Sequence, residues 1–331
     1  MATIRDIAKA AGVSASSVSR VINNGPKVGE ETRKKILAII KEVGYTPNAN
    51  AQAINDNQKL AVGIVMPNIQ QPFFSAMAHG IEQVAGQLNA QIMLHSSEAH
   101  EQGEQEAIET LMEHRYQSMV VHSSVLDDEK LIRYAQTIPG FVLMNRHIEA
   151  ISGQCVWLED AEGGRLRAKF AFDYGHRKYA IFCSNRADIG AQCRFVMSKQ
   201  WLIAKGIEEH DICTIIDSPT YQGGRRAVQD LVASGHSFTA ILAHNDEMAI
   251  GAMSMLEAQG LSTPDDVSVI GYDDLNIAEF TQPQLTTVKY PIEAMAIVAT
   301  QMALSLNKNQ VQESQRKFHP SMVLRSSFCR L

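Results

Sequence analysis

The sequence lacks the marks of an exported, disulfide-stabilised or membrane-spanning protein. Its cysteines are scattered, with no C-x-x-C pair and an odd total: Cys155, Cys183, Cys193, Cys213 and Cys329. Such a pattern favours free thiols in a reduced, cytoplasmic compartment over a disulfide framework. No segment approaches the roughly 20 uninterrupted apolar residues that cross a bilayer, and the N-terminus has no apolar signal-peptide core. A membrane protein and an exported binding protein are therefore not expected.

Catalytic and metal-binding patterns are also missing. His122, His147 and His244 are isolated and lack the paired spacing of metal ligands, which favours neutral hydrogen-bonding or surface roles. We find no G-x-S-x-G elbow and no recognisable grouping of a nucleophile with a base. The sequence therefore predicts a protein that is not an enzyme and that needs no metal and no cofactor.

The chain is long enough for several domains, and its charge differs between the N-terminal region and the rest of the sequence. The chain has 331 residues, 45% of them hydrophobic, so two or three folded units are expected. Residues 1–59 hold nine Lys and Arg against five Asp and Glu, a net charge of +4, whereas the whole chain carries −6. The remaining residues therefore carry −10, and attraction to phosphates is confined to the N-terminal region.

That region has the pattern of three short helices around a small core. Thr3 is placed to cap a first helix, Gly12 supplies a turn, and Ser14 can cap a second helix. The apolar positions of the three helices are Ile4, Ile7, Ala8, Ala11, Val18, Val21, Ile22, Ile36, Ile39, Ile40 and Val43. The opposite face of the second helix is polar and can enter a DNA groove. The pattern predicts a helix-turn-helix over about residues 4–23, with a solvated basic bundle as the alternative.

From about residue 60 the pattern changes to apolar strands that alternate with amphipathic helices. AVGIVMP, QIMLHSS, SMVVHS, FVLMN and CVWLE predict buried parallel strands, and the alternation restarts at YAIFCSN. Polar pairs follow several strands: Asn145-Arg146, Glu159-Asp160, Asn245-Asp246 and Asp273-Asp274. Because ligands bind at the carboxyl ends of such strands, these side chains predict a pocket. Asp, Asn and Arg side chains can form paired hydrogen bonds with neighbouring hydroxyls, so this set of residues suits a sugar.

Several of these segments resemble the lactose/galactose repressor (LacI/GalR) family. Residues 2–54 are similar to its headpiece, with VSRVINN at the recognition helix and YTPNANAQAI at the hinge. The segments QPFFSAM, GHRKYAIFCSN, VSVIGYDD and QLTTVKYPI extend the similarity over nearly the whole chain. PNANAQA, IPGFVLMNR and QLTTVKYP are most similar to the galactose repressor and isorepressor branch.

The resemblance implies a fold and a domain organisation. The expected fold is an all-α helix-turn-helix headpiece with an α/β periplasmic-binding-protein-like core of two parallel-sheet, Rossmann-like subdomains. The headpiece is expected over residues 1–46, the hinge over 47–59 and the core over 60–331. Because the family's chain crosses between subdomains three times, the N-subdomain would comprise about 60–157 and 288–318, and the C-subdomain about 158–287 and 319–331.

The resemblance also implies a transcriptional repressor that reads a double-stranded, pseudo-palindromic operator as a homodimer. The residues expected to contact bases or phosphates are Thr3, Ser14, Ala15, Ser16, Ser17, Ser19, Arg20 and Asn23. In the family, paired hinge segments wedge the minor groove, and the corresponding residues here are Asn50, Ala51 and Ile54. The chain ends without the leucine heptads of tetrameric relatives, so a cytoplasmic dimer, associated with the nucleoid when bound to its operator, is expected.

In the resembling family a small effector binds between the subdomains. The contact positions correspond here to Phe73, Asn145, Arg146, Asp160, Arg194, Asn245 and Asp273. A galactose- or galactoside-like inducer is the expected effector, and a β-glucoside, purine or nucleoside, possibly a corepressor, is the alternative. Met197 stands where relatives usually have glycine, so a pocket wall of different shape is expected. An enzyme acting on sugars and a periplasmic receptor are the other classes, which saccharide turnover or an export signal would distinguish.

Overall fold

A computed structural model describes residues 3–22, 25–43, 60–186, 189–310 and 316–331. The chain divides into two compact units, Met1–Lys59 and Leu60–Leu331. The expected hinge contacts Asn50, Ala51 and Ile54, and the expected DNA contact Asn23, lie outside the described residues.

The described part of the N-terminal unit contains helices α1 (Ile4–Ala11), α2 (Ala15–Ile22) and α3 (Glu30–Glu42). Thr3 caps α1 in a reciprocal box, because its hydroxyl accepts from the Asp6 amide while the Asp6 carboxylate accepts from the Thr3 amide. Gly12 follows with a φ of 72°, a left-handed conformation that glycine adopts without strain. Ser14 then accepts from the Ser17 amide at 3.2 Å, as predicted for a cap of α2.

Six side chains from the three helices form the core of this unit: Ile7, Ala8, Ala11, Val18, Val21 and Ile36. Ile4, Ile22, Ile39 and Ile40 pack around them. Val43, expected in the buried stripe, is exposed because α3 ends at Glu42. The small core therefore has the predicted composition except at its C-terminal edge.

The second unit contains two six-stranded sheets. The first sheet and its helices comprise β1 (Ala61–Met66), α4 (Pro72–Gln87), β2 (Gln91–Ser96), α5 (Glu101–Glu113), β3 (Ser118–His122), α6 (Asp128–Thr137), β4 (Gly140–Met144), β5 (Cys155–Leu158) and, later in the chain, α12 (Ile292–Asn307) and β11 (Lys317–Phe318). The strand order is β11-β5-β4-β3-β1-β2, with all neighbours parallel.

The second sheet has the same plan. Its elements are α7 (Asp160–Asp173), β6 (Tyr179–Ser184), α8 (Ile189–Ala204), β7 (Ile212–Asp217), α9 (Tyr221–Ala233), β8 (Ala240–Leu242), α10 (Asp246–Ala258), β9 (Ser268–Asp273), α11 (Ile277–Phe280), β10 (Thr286–Lys289) and β12 (Ser321–Val323). The order is β12-β10-β9-β8-β6-β7, and only β12 runs antiparallel to its neighbour. Single 3-10 segments lie at Glu149–Gln154 and Glu209–Asp211.

The chain passes three times between the sheets: after β5, after β10 and after β11. Strand β10 pairs Val288 with Tyr272 and Met322 in the second sheet and continues to Lys289, beyond the expected boundary at residue 287.

Apolar side chains fill both faces of each sheet, as expected for parallel sheets that are covered by helices. On α4 the side chains of Met77, Ile81 and Val84 are buried against the sheet, whereas Leu88 is exposed because the helix ends at Gln87. No helix among the described residues is long and apolar enough to cross a membrane. The predicted fold class, a helical headpiece with a core of two parallel-dominated sheets, is confirmed.

Candidate ligand pocket and nucleic-acid interface

A pocket lies between the two sheets at the carboxyl ends of their strands. Segments that follow strands of the first sheet form one wall, and segments that follow strands of the second form the other. The lining residues are Pro67, Gln71, Phe73, Phe74, Ala99, His122, Ser124, Asn145, Ser184, Arg186, Arg194, Pro219, His244, Asn245, Asp273 and Tyr290. They include five of the seven predicted effector residues: Phe73, Asn145, Arg194, Asn245 and Asp273.

Arg194 is the central charged group of the pocket. It lies on α8 with only 10% of its side chain exposed, and its Nε is 3.2 Å from a carboxylate oxygen of Asp160. A terminal guanidinium nitrogen is 3.9 Å from Asp273, and the guanidinium carbon lies 4.3 Å from the centre of the Tyr272 ring. Two carboxylates and an aromatic ring thus hold the planar guanidinium group in one orientation. This orientation suits bidentate hydrogen bonds to two neighbouring hydroxyls.

The two carboxylates occupy different positions. Asp160 begins α7 and contacts Arg194 from outside the lining, whereas Asp273 lines the pocket at the end of β9. Burial raises the pKa of Asp273 well above its usual range, although the guanidinium of Arg194 acts in the opposite direction. Asp273 and Asn145 also have positive φ angles of 113° and 79°. Such strain costs about 1–3 kcal/mol per residue and concentrates at ligand sites.

An aromatic group forms part of the pocket wall. The Phe73 ring lies 5.0 Å from the Tyr290 ring and 5.2 Å from the Phe74 ring, both edge-on. The Tyr290 hydroxyl donates to Oδ1 of Asn145 at 3.2 Å, so a side chain at the start of the crossover after β10 orients an amide that follows β4. This wall can pack against the C–H face of a sugar ring while the amide binds its hydroxyls.

Two of the predicted residues have structural partners. The Asn245 side chain caps α10, because its oxygen accepts from the Met248 amide at 2.9 Å. Arg146 does not line the pocket: it donates to the Leu126 carbonyl at 2.7 Å and forms an ion pair with Asp128. Its assignment as an effector contact therefore stays a prediction that this arrangement does not favour.

The pocket also contains residues that sequence reasoning missed. They are Gln71, Ser124, Ser184, Arg186 and Tyr290, together with His122 and His244, which the sequence suggested only as neutral side chains. Burial, followed by the guanidinium groups of Arg194, Arg167 and Arg186, holds the pKa of His244 well below its usual range, so this imidazole is neutral. The available signal was position, because His122 is the last residue of β3 and His244 lies two residues after the end of β8. Among the described residues no group of three or more His, Cys, Asp or Glu could hold a metal ion.

Glu104 of α5 fixes the loop that carries Ser124. Its carboxylate is fully buried and accepts from the Ser123 hydroxyl at 2.6 Å and from the Ser124 amide at 2.8 Å. The Leu126 amide donates to the same group at 3.3 Å. A buried carboxylate with all these donors is satisfied, so it holds the loop in place.

Replacing Gly163 with alanine is expected to destabilise the packing around Tyr272. A Cβ at Gly163 would lie 2.0 Å from the Tyr272 hydroxyl oxygen, and the Tyr272 ring is fully buried. We expect Gly163→Ala to lower the free energy of unfolding by about 1–3 kcal/mol, the usual cost of overpacking. Urea denaturation followed by circular dichroism measures this change.

Gly86→Ala is the matched control, because Gly86 lies in α4 and its Cβ would meet nothing within 4 Å. This substitution should raise the free energy of unfolding by about 0.5–1 kcal/mol through helix propensity alone. Equal effects of the two substitutions would contradict the steric argument.

Asp246 predicts a pH-dependent contribution to stability. It is fully buried at the start of α10 and accepts from the Thr287 hydroxyl at 2.5 Å and from the Leu275 amide at 2.8 Å. Burial raises its pKa from 3.8 to about 7. Between those values the folded state holds a proton that the unfolded state has lost, so this group's contribution to stability falls as the pH rises from about 4 to about 7.

Asp246→Asn cannot ionise, so its stability relative to the parent protein should increase across that range. The free energy of unfolding of both proteins, measured at intervals from pH 5 to 7, tests this. Asp266→Asn is the control: hydrogen bonds from Ser262 lower the pKa of Asp266, so its contribution is constant above pH 5 and lost only in acid. Parallel profiles for the parent and Asp246→Asn would contradict the prediction.

The N-terminal unit exposes the polar face of α2. Ser14, Ala15, Ser16 and Arg20 are exposed, as is Thr3, whereas Ser17 and Ser19 are half-buried. The Ser14 hydroxyl is hydrogen-bonded to those of Ser16 and Ser17. Because Arg20 is exposed at the C-terminal end of α2, its guanidinium is accessible from solvent.

Comparisons with known proteins agree with this architecture. Residues 3–48 match the bacterial regulatory proteins of the lacI family, and residues 168–328 match the periplasmic binding protein-like domain. The chain is 37% identical to the transcriptional regulator GalR of Escherichia coli over 99% of this chain and 96% of that protein, and 36% identical to GalS of Salmonella typhimurium over the same shares. The lac repressor dimer bound to operator superimposes with a TM-score of 0.82 at 25% identity, over 99% of each chain. The chain is therefore a transcriptional regulator that belongs to the lacI family.

Proposed function

We propose that this regulator is a homodimeric repressor whose operator affinity is switched by a galactose- or galactoside-like sugar bound between the two sheets. The observation that carries the sugar assignment is the pocket itself. Arg194 is fixed between Asp160 and Asp273, and the Phe73–Tyr290 aromatic wall lines the same pocket. A polyol is bound by charged side chains that form paired hydrogen bonds with its hydroxyls, together with an apolar surface that packs against its C–H groups.

The DNA-binding half of the proposal rests on the N-terminal unit. Its second helix presents a polar, exposed face, and residues 1–59 carry +4 in a chain of −6. Arg20 and the serines of α2 supply donors for base edges and phosphates in a major groove. We place the protein in the cytoplasm because its target is DNA, and we propose that Asn23, Asn50, Ala51 and Ile54 complete the contacts.

The dimer is supported by an uncovered apolar groove on the first sheet. The groove lies between α4 and β2, which is an edge strand, and its apolar rim includes the exposed Ile69 and Ile92. A second copy of the chain would bury this surface, and a dimer carries two headpieces, one for each operator half-site.

Sugar binding would favour one placement of the two sheets relative to each other and thereby release the operator. A coupling free energy of about 1–3 kcal/mol corresponds to a roughly 5- to 150-fold change in DNA affinity. Corepression is the alternative polarity, in which the same ligand would raise DNA affinity.

Thermal shift with a ligand panel, followed by operator titration with each hit, tests this function. The panel contains monosaccharides, galactosides, β-glucosides and nucleosides, the last because Phe73 and Tyr290 can equally pack against a planar base. We expect a hexose or hexoside to raise the melting temperature and weaken operator binding at least fivefold. A hit that leaves operator affinity unchanged would contradict the switch, and a response to nucleosides alone would contradict the sugar.

A further inference from the structure

Three guanidinium groups lie close together at the second-sheet side of the pocket. Arg186 and Arg194 line the pocket. Arg167 lies behind them, with its guanidinium carbon 5.9 Å from the centre of the Tyr272 ring that Arg194 also contacts. All three are near enough to His244, another lining residue, for their charges to add to the effect of burial in lowering its pKa. Positive charge is therefore concentrated around one part of the pocket.

Arg167 is fully buried, yet its hydrogen-bond partners are uncharged. Its Nε donates to the Ser198 hydroxyl at 2.9 Å, and a terminal nitrogen donates to the Ala243 carbonyl at 2.6 Å. Burial, followed by the charge of Arg194, lowers the pKa of Arg167 to about 10, so its guanidinium stays charged at neutral pH. A buried cation with neutral partners costs free energy, which a nearby anion offsets.

The carboxyl groups of this region offset only part of the positive charge. Asp160 pairs with Arg194 at 3.2 Å. Burial raises the pKa of Asp246 to about 7, and it also raises the pKa values of Asp273 and Glu247. Burial therefore favours the uncharged form of these three carboxyl groups, whereas the guanidinium groups keep their charge. A neutral sugar would leave this excess of positive charge in place.

Arg186 has hydroxyl donors beside it in the pocket lining. The Ser184 hydroxyl accepts from the Arg186 amide at 3.0 Å, so its own proton can be donated to a ligand. Ser124 supplies a second hydroxyl, on the loop that Glu104 holds in place. The Arg186 side chain is exposed, so its guanidinium can approach a bound group from solvent. A guanidinium with neighbouring hydroxyls can bind a carboxylate or a phosphate through charge-assisted hydrogen bonds.

We propose that the effector is an acidic sugar, whose carboxylate or phosphate binds to Arg186, Ser124 and Ser184 while its ring occupies the rest of the pocket. The inference rests on the proposed sugar-binding function and makes it more specific. It predicts that a neutral hexose binds more weakly than its own derivative with an anionic group.

The test measures affinity by calorimetry with the full-length protein. The ligands are galactose and glucose, their uronates, and their 1- and 6-phosphates, with acetate and inorganic phosphate as anions that lack a sugar ring. At least one acidic derivative should bind about tenfold or more tightly than its neutral parent. The same derivative should weaken operator binding. The uronates and the sugar phosphates distinguish a carboxylate from a phosphate as the source of the charge.

Arg186→Gln identifies the cationic group that binds the anion. The substitution should reduce the advantage of the acidic sugar over its neutral parent to less than about threefold. Arg165→Gln is the matched control, because it removes the same charge from an exposed position on α7 that does not line the pocket. It should leave that advantage unchanged. Both arginines are exposed, so melting temperatures near that of the parent protein are expected for both variants.

The outcomes separate this inference from the function on which it rests. If neither the neutral nor the acidic sugars bind, both proposals fail. If a neutral hexose binds as tightly as its acidic derivatives, or inorganic phosphate or acetate binds as tightly as the best acidic sugar, only the acidic-sugar inference is overturned. The inference is also overturned if Arg186→Gln and Arg165→Gln change the advantage equally.

Discussion

Arg194→Met should abolish the response to effector and lower the free energy of unfolding by about 3–5 kcal/mol, the usual cost of breaking a buried ion pair from one side. The substitution leaves the side chains of Asp160 and Asp273, only 7% and 9% exposed, without their guanidinium. It also removes the guanidinium group, whose charge-assisted hydrogen bonds to hydroxyls contribute about 1.5–3 kcal/mol each. Effector affinity should therefore fall at least about tenfold, as measured by calorimetry beside urea denaturation.

Arg226→Met is the matched control for Arg194→Met. Arg226 also pairs with an aspartate, Asp217, but lies far more exposed, and exposed pairs contribute little. We expect this variant to keep both its effector response and its stability. Normal effector affinity in a folded Arg194→Met protein would contradict the assignment of Arg194 as the central binding group.

Arg20→Ala should weaken specific operator binding by about 1–3 kcal/mol, or roughly 5- to 150-fold, while binding to unrelated DNA changes much less. The reason is that Arg20 lies exposed on α2, where its fork can bind a base edge rather than only a phosphate. Fluorescence anisotropy with the operator and with a scrambled duplex measures both affinities.

Lys35→Ala is the control for Arg20→Ala, because it removes the same charge from an exposed position on α3. It should weaken binding to the two duplexes equally, through loss of general attraction to phosphates. An equal loss on both duplexes for Arg20→Ala would show that Arg20 contacts only the backbone. Melting temperatures of the two variants confirm that the headpiece core is intact.

Local signals in the sequence predicted much of the fold. The Thr3 cap, the Gly12 turn and the Ser14 cap were predictable because each depends on residues three or four positions away. The strands were predictable because apolar runs of this length, bounded by polar residues, form buried parallel strands. The pocket was predictable to the level of its position, because strand ends of one polarity meet along one edge of a sheet.

The details of the pocket depended on contacts between distant parts of the chain. Asn145 and Arg146 are neighbours after the same strand, yet the first lines the pocket and the second turns to Leu126 and Asp128. Tyr290 lies 145 residues from Asn145 in sequence, and only the crossover after β10 brings its hydroxyl to that amide. No local sequence pattern predicts a hydrogen bond between residues so far apart in the chain.

The sequence by itself determined the helical headpiece, the alternation of strands and helices and the family, since these follow from short-range periodicity and caps. The tertiary structure decided which charges are buried. Arg167 resembles any surface arginine of a helix in sequence, but it is 1% exposed and donates to the Ser198 hydroxyl and the Ala243 carbonyl. Removing a guanidinium from water costs free energy, and only hydrogen-bond partners can offset that cost. For Arg167 these partners are supplied by the packing of α7 against α8 and the segment after β8, which the local sequence does not specify.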